Sequence, residues 1–163
     1  MPRNGQLVSH KDGKSHAEKK GGPTRTQTTA LQAHKIFISH ATADKWVARM
    51  ICERLEAAGL DTFIDDRDIA GGDDIPLMIQ AEIRRCAELV VLLTPQSVGR
   101  AWVMLEVGMA LIRRCRINVL LYHVTVDGIP EMLKAKKAYN LNDAERYIAD
   151  VKERATNRGP RQR

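Results

Sequence analysis

The chain has 163 residues, of which 44% are hydrophobic, only 4% aromatic and 28% charged, with a formal net charge of +6. This length supports one domain with a real core. No apolar run reaches the roughly 18 residues of a membrane span and the polar N-terminus lacks the apolar stretch of a secretory signal, so a cytoplasmic protein without membrane contact is expected. The charge is uneven: residues 1–30 and 152–163 carry +4 each, leaving −2 on residues 31–151. With no aromatic residue in 1–30 to stack on bases, specific nucleic-acid binding is not expected either.

Residues 1–33 are rich in Lys, Gly, Ser, Thr and Gln without an apolar period and read as a disordered basic arm. Lys35–His40 (KIFISH) is a short β-branched apolar run, a buried strand. Asp44–Ala58 follows as a helix, with Trp46, Val47, Met50, Ile51 and Leu55 at helical spacing and Gly59 just past its end. Asp61–Asp65 (DTFID) is the second strand. Asp66–Asp74 (DRDIAGGDD) is an acidic loop with a Gly71–Gly72 pair, and Pro76 suits the first turn of a helix running to about Cys86. Glu88–Thr94 (ELVVLLT) is a nearly unbroken apolar run, as in a strand covered on both faces, and Pro95 ends it.

Ser97–Cys115 (SVGRAWVMLEVGMALIRRC) predicts the next helix, with Ser97 as its N-cap and Arg113, Arg114 and Arg116 at its C-terminus. Val98, Ala101, Leu105, Met109 and Ile112 recur at helical spacing as its expected core stripe. Between Ala101 and Ile112 the one charged residue is Glu106. Trp102 lies four positions earlier on the same face, and Gly108 is expected to leave open space beside the carboxylate. A carboxylate between an indole and apolar residues is partly desolvated, and acts more strongly once it meets positive charge. Ile117–Val124 (INVLLYHV) is a fourth buried strand, Gly128–Pro130 a turn and Glu131–Lys136 a short helix. Ala138–Leu141 is a fifth, edge strand, and Asn142 or Asp143 caps a last helix to about Arg154. Residues 156–163 read as a disordered basic tail. Cys52, Cys86 and Cys115 are odd in number and widely separated, each in a predicted helix. Without a CxxC or a His pair at metal spacing, they are expected to be buried free thiols in a reducing compartment, and no metal is expected.

Strands alternating with helices imply βαβ units, right-handed crossovers and an α/β fold. Five strands point to a flavodoxin-like three-layer sandwich whose parallel sheet has the order 2-1-3-4-5. In such sheets ligands sit beyond the carboxyl ends of the strands, where the order reverses between strands 1 and 3. Ser39–His40, Thr94–Pro95 with the Glu106 helix, and the acidic loop after Asp65 all converge there. No G-x-G-x-x-G follows strand 1 and no G-x-x-x-x-G-K-[ST] occurs, which disfavours a redox Rossmann domain and a P-loop NTPase. A single carboxylate in an apolar crevice suits a reaction that builds positive charge, such as cleavage of an N-glycosidic bond through an oxocarbenium-like transition state.

The segments KIFISHATADKWVARMICERLEAAGLDTFIDDRDIAGGDDI and ELVVLLTPQSVGRAWVMLEVGMAL resemble a TIR (Toll/interleukin-1 receptor) domain of the bacterial kind, over about residues 34–155. The pieces that carry the resemblance are the FIS strand, the TFID strand with its glycine-containing BB loop, and LLTPQSVGRAWVMLE with the W-x-x-x-E spacing of TIR domains that cleave NAD. The resemblance implies Glu106 as the catalytic residue and Ser39, His40, Ala41, Phe63 and Trp102 as substrate-binding residues. It implies NAD as a substrate with no further cofactor, and TIR–TIR self-association through the BB loop, Asp66, Arg67, Ile69, Gly71 and Gly72. It further implies a role in bacterial immune (antiphage) or toxin signalling, with room for a separate effector or sensor protein. The aromatic or arginine residues common after FIS are replaced here by His40, Ala41 and Thr42. Two other readings stay open at this point: a non-catalytic TIR adaptor or host-mimicking module acting through its BB loop, and an enzyme similar to nucleoside deoxyribosyltransferases.

Overall fold

The computed structural model describes residues 33–64 and 77–157, together with Arg25 and Leu31. The described elements are β1 (Lys35–Ser39), a 3-10 turn (Thr42–Asp44), α1 (Lys45–Ala57), β2 (Asp61–Ile64), α2 (Leu77–Arg85), β3 (Glu88–Leu93), α3 (Ala101–Ile112), β4 (Arg116–Leu121), β5 (Lys137–Asn140) and α4 (Ala144–Asn157). The five strands form one sheet of order β2-β1-β3-β4-β5, every pair parallel. This is the architecture the alternation of strands and helices predicts. The segment expected to be helical at Glu131–Lys136 is a single 3-10 turn, Glu131–Leu133.

Period-two alternation sends neighbouring strand residues to opposite faces. Ile36, Ile38, Val90, Leu92 and Leu120 pack under α1 and α4. Phe37, Leu89, Val91, Leu93, Val119 and Leu121 pack under α2 and α3. Covering on both faces explains why β3 is buried along its whole length. Leu31, which composition alone counts with the N-terminal arm, is buried in the first of these clusters.

Two helix ends show why local sequence stops them where it does. Past α1, Gly59 takes φ +87° and the backbone bonds Gly59 N–Glu56 O and Leu60 N–Leu55 O close a Schellman turn. Past α3, Arg114 occupies the same position at φ 55°, with Arg114 N bonding Leu111 O and Cys115 N bonding Ala110 O. The expected C-terminal Arg cluster acts across helices. Arg113 Nη1 donates to Ile83 O at 2.5 Å and Cys86 O at 3.3 Å, satisfying carbonyls at the end of α2.

Several expectations are corrected. In α1, Trp46 is 64% exposed, and the buried face is Val47, Ala48, Ile51, Cys52 and Leu55. In α3 three residues of the expected stripe face outward, Ala101 and Leu105 being exposed and Ile112 87% exposed, while Val98 and Met109 are half-buried against the cluster and the buried residues are Val103, Glu106, Val107 and Ala110. Because α3 is apolar nearly all round, its periodicity cannot choose a face, and packing does. Ser97 does not cap α3, whose preceding residue is Arg100. Its hydroxyl instead donates to Leu92 O at 2.8 Å and accepts from Thr94 N at 2.8 Å. The cysteines also differ from expectation: Cys86 and Cys115 each follow a helix end, Cys115 is only half-buried, and their sulfurs lie 3.4 Å apart.

Candidate active site around Glu106

The inward turn of α3 places Glu106 at 2% exposure against the carboxyl end of β1. There Ser39, also buried, donates its hydroxyl to Glu106 Oε2. Ser39 can do so because it follows Phe37 by two, so its side chain emerges on the face that α3 covers. The spacing from Trp102 to Glu106 is preserved as a shared helix side. Trp102 is half-buried against the apolar cluster under α2 and α3. A Cβ at Gly108 would meet nothing within 4 Å. Two residues on is about 200° round the helix, so this space lies away from Glu106 and not beside it as expected.

The turn that launches α3 is held by side chains the sequence reading left unassigned. Thr94 Oγ1 accepts from Gln96 N and Ser97 N, each at 3.1 Å, and donates to Asp44 Oδ2 at 2.6 Å. Asp44 is itself buried in the 3-10 turn after β1. The ends of β1 and β3, adjacent strands, are thereby tied together. A short polar residue at the strand end followed three positions later by Ser is the local signal for this turn; its link to Asp44 spans 50 residues.

His40 and Ala41 continue β1 into this region and are buried at 8% and 3% exposure. Phe63 stacks on Phe37, ring centroids 5.3 Å apart, with Lys35 Nζ 5.6 Å from its ring. It therefore packs two strand positions below the level of Ser39, in the sheet-face cluster. The structure thus brings Ser39 and Glu106 into contact, has His40 and Ala41 follow Ser39 as buried residues, and places Phe63 and Trp102 on the same side of the sheet. Asp66, Arg67, Ile69, Gly71 and Gly72 lie outside the described residues, as does Pro76.

Another buried carboxylate, Glu88, occupies the opposite end of the sheet. Glu88, fully buried at the start of β3, accepts from His34 Nε2 at 3.1 Å, Asn118 Nδ2 at 2.8 Å, and Arg154 Nε and Nη2 at 2.7 and 2.9 Å. Burial opposes its ionisation, but the hydrogen bonds from His34 and Arg154 prevail and hold its carboxyl at about 2. Beside it opens a polar cavity of about 430 Å³ lined by Arg116, Lys137, Asp150, Glu153, Arg154 and Asn157. Within its lining Lys137 Nζ lies 2.5 Å from Asp150 Oδ2. No cluster of three or more His, Cys, Asp or Glu side chains suited to a metal occurs among the described residues. No helix among them is long and apolar enough to cross a membrane.

A family model described as TIR domain matches residues 36–155. A protein of Brachypodium distachyon, described as a probable 2′ cyclic ADP-D-ribose synthase, is 28% identical over 159 residues, covering 93% of this chain and 67% of that protein. Among solved structures, a metazoan TIR-STING receptor from C. gigas in complex with 2′,3′-cGAMP superposes with a TM-score of 0.58 at 24% identity, over 74% of this chain and 39% of that one. The TIR domain of a Toll-related receptor from Hydra magnipapillata superposes at 0.57 with 21% identity, over 75% of this chain and 97% of that one. At these identities the two structures speak for the fold alone. With the family model covering β1 through α4, the chain belongs to the TIR-domain family.

Proposed function

We propose that this TIR domain cleaves the bond between nicotinamide and ribose in NAD, with Glu106 as the catalytic residue. The observation that carries this reading is the carboxylate itself, buried on α3 against the carboxyl end of β1 and held by Ser39. This is where the strand order reverses and where ligands of such sheets bind. When the glycosidic bond breaks, its electron pair passes to the pyridine nitrogen and neutralises the cationic leaving group, so no general acid is required. Positive charge then develops on the ribose ring carbon and oxygen, and a fixed carboxylate in a dry site stabilises it more than water would. Water, or a hydroxyl of the same nucleotide, completes the reaction to ADP-ribose or a cyclised form. The relative described as a cyclic ADP-D-ribose synthase supports this substrate class. Self-association through the Asp66–Asp74 loop, which would exclude water from the site, belongs to the same reading.

The test is NAD turnover by the purified chain and by Glu106→Gln, assayed across a range of protein concentrations with nicotinamide and nucleotide products resolved. The substitution keeps shape and removes charge, so turnover is expected to fall by about 100-fold or more while the melting temperature is retained. Equal turnover by the two folded proteins, or none by wild type at any concentration, would overturn the reading.

A further inference from the structure

We propose that Cys86 and Cys115 form a redox modification site, at which a peroxide converts the two thiols to an intramolecular disulfide joining the end of α2 to the end of α3. Their sulfurs lie 3.4 Å apart although the residues are 29 positions apart in the chain. The contact follows from topology. Each cysteine sits just before one of two hydrogen-bonded parallel strands, whose first paired residues are Glu88 and Arg116. A disulfide needs the sulfurs only about 1.4 Å closer, within reach of side-chain rotation.

The two thiols are unequal in the way such a site requires. Cys115 is half-buried and reachable, whereas Cys86 is 4% exposed. The hydrogen bond with Cys86 and the neighbouring Arg113 guanidinium hold the Cys115 thiol below its ordinary range, against the effect of burial. The same hydrogen bond, together with burial, pushes the Cys86 thiol up and keeps it protonated. Arg113 is fixed in place by its bonds to Ile83 O and Cys86 O. The Cys115 thiolate attacks one peroxide oxygen, the O–O bond breaks, and the leaving oxygen departs as hydroxide, which takes a proton to become water. Cys115 is then a sulfenic acid. Cys86 sulfur attacks the Cys115 sulfur, the S–O bond breaks, and the Cys86 proton leaves with the departing hydroxyl as a second water. The thiol pair gives two electrons and the peroxide accepts them. Cys52 lies in α1, in the cluster on the other face of the sheet, and takes no part.

The experiment treats the full chain with hydrogen peroxide, alkylates remaining thiols and maps peptides by mass spectrometry. A Cys86–Cys115 linked peptide lacking two hydrogens is expected, lost on treatment with dithiothreitol. Closing this loop constrains the unfolded chain, so the oxidised protein should melt about 10 °C above the reduced one. Cys52→Ser should keep both effects, while Cys86→Ser and Cys115→Ser lose them. The peptide map of the unsubstituted protein decides the matter even where a variant fails to fold. Cys115 driven to sulfinic acid with Cys86 still alkylatable, a link through Cys52 or to a second chain, or no oxidation at all would each overturn the proposal.

Discussion

Glu88 and Glu106 are both carboxylates with almost no exposure, 0% and 2%, and they sit at opposite ends of one sheet. At the amino end, Glu88 is met by a guanidinium, an imidazole and an amide whose hydrogen bonds occupy both its oxygens. At the carboxyl end, Glu106 is met by a hydroxyl donated from the last residue of β1. Burial of a carboxylate therefore does not by itself mark a reaction centre. Glu88 has the environment of a structural anion, with an imidazole brought in from β1's leading turn and a guanidinium from α4 to meet it. Glu106 stands at the other end, where α/β folds receive ligands, and the proposed function has it face the positive charge that develops on a substrate.

The contrast is sharpest under substitution. Removing the Glu88 carboxylate leaves the Arg154 guanidinium, packed in the same end of the sheet, without its bidentate partner. Loss of one member of a buried pair costs about 3–5 kcal/mol. Glu88→Ala should therefore lower the denaturant midpoint by that equivalent, with an unchanged denaturant slope. A Glu88→Ala protein as stable as wild type would show that the two carboxylates do not differ in the way described.

Acid tests the same network without mutation. The folded-state value of Glu88, about 2, lies below the ordinary 4.5, so the folded chain binds this proton less readily than the unfolded chain. Its contribution is thus fully present above about pH 4.5 and disappears as pH falls from there towards 2, amounting to about 3 kcal/mol. Unfolding free energy measured against pH should fall steeply across that window, and Glu88→Gln should flatten the slope there. An identical acid profile for Glu88→Gln would assign the loss to other groups.

The difference between the two sites also shows what sequence can and cannot reveal. Glu106 stands out because it is the one charge in a twelve-residue apolar helix, and the alternation of strands and helices assigns that helix to the binding end of the sheet. Glu88 does not stand out. A carboxylate opening a strand reads as solvated, and its partners His34, Asn118 and Arg154 are 54, 30 and 66 positions away. The same limit misplaced the buried face of α3: a helix apolar on nearly every side carries no period from which to choose it. Packing chose Val103, Val107 and Ala110, and so buried Glu106 more deeply than the outward stripe of Leu105 and Ile112 implies. The contact between Cys86 and Cys115 was hidden for the reason Glu88's was, since only strand register makes neighbours of them.

Ser39 gives the smallest and most discriminating effect. The resemblance to NAD-cleaving TIR domains makes it a substrate-binding residue, whereas its hydroxyl points at Glu106. Under the proposed function that contact makes it a positioning residue, which holds the carboxylate in the orientation the developing charge requires. A hydrogen bond to a charged group is worth about 1.5–3 kcal/mol, and part of its loss is recovered as the carboxylate finds a new orientation. Ser39→Ala is therefore expected to lower kcat for NAD about tenfold, with KM nearly unchanged, because the lost interaction acts in the transition state and not on bound substrate. Ser39→Thr keeps the hydroxyl on the same backbone and should restore most of the rate. A residue that held the nucleotide directly would behave otherwise. Its removal would raise KM with kcat intact, and that split would return Ser39 to the substrate contacts.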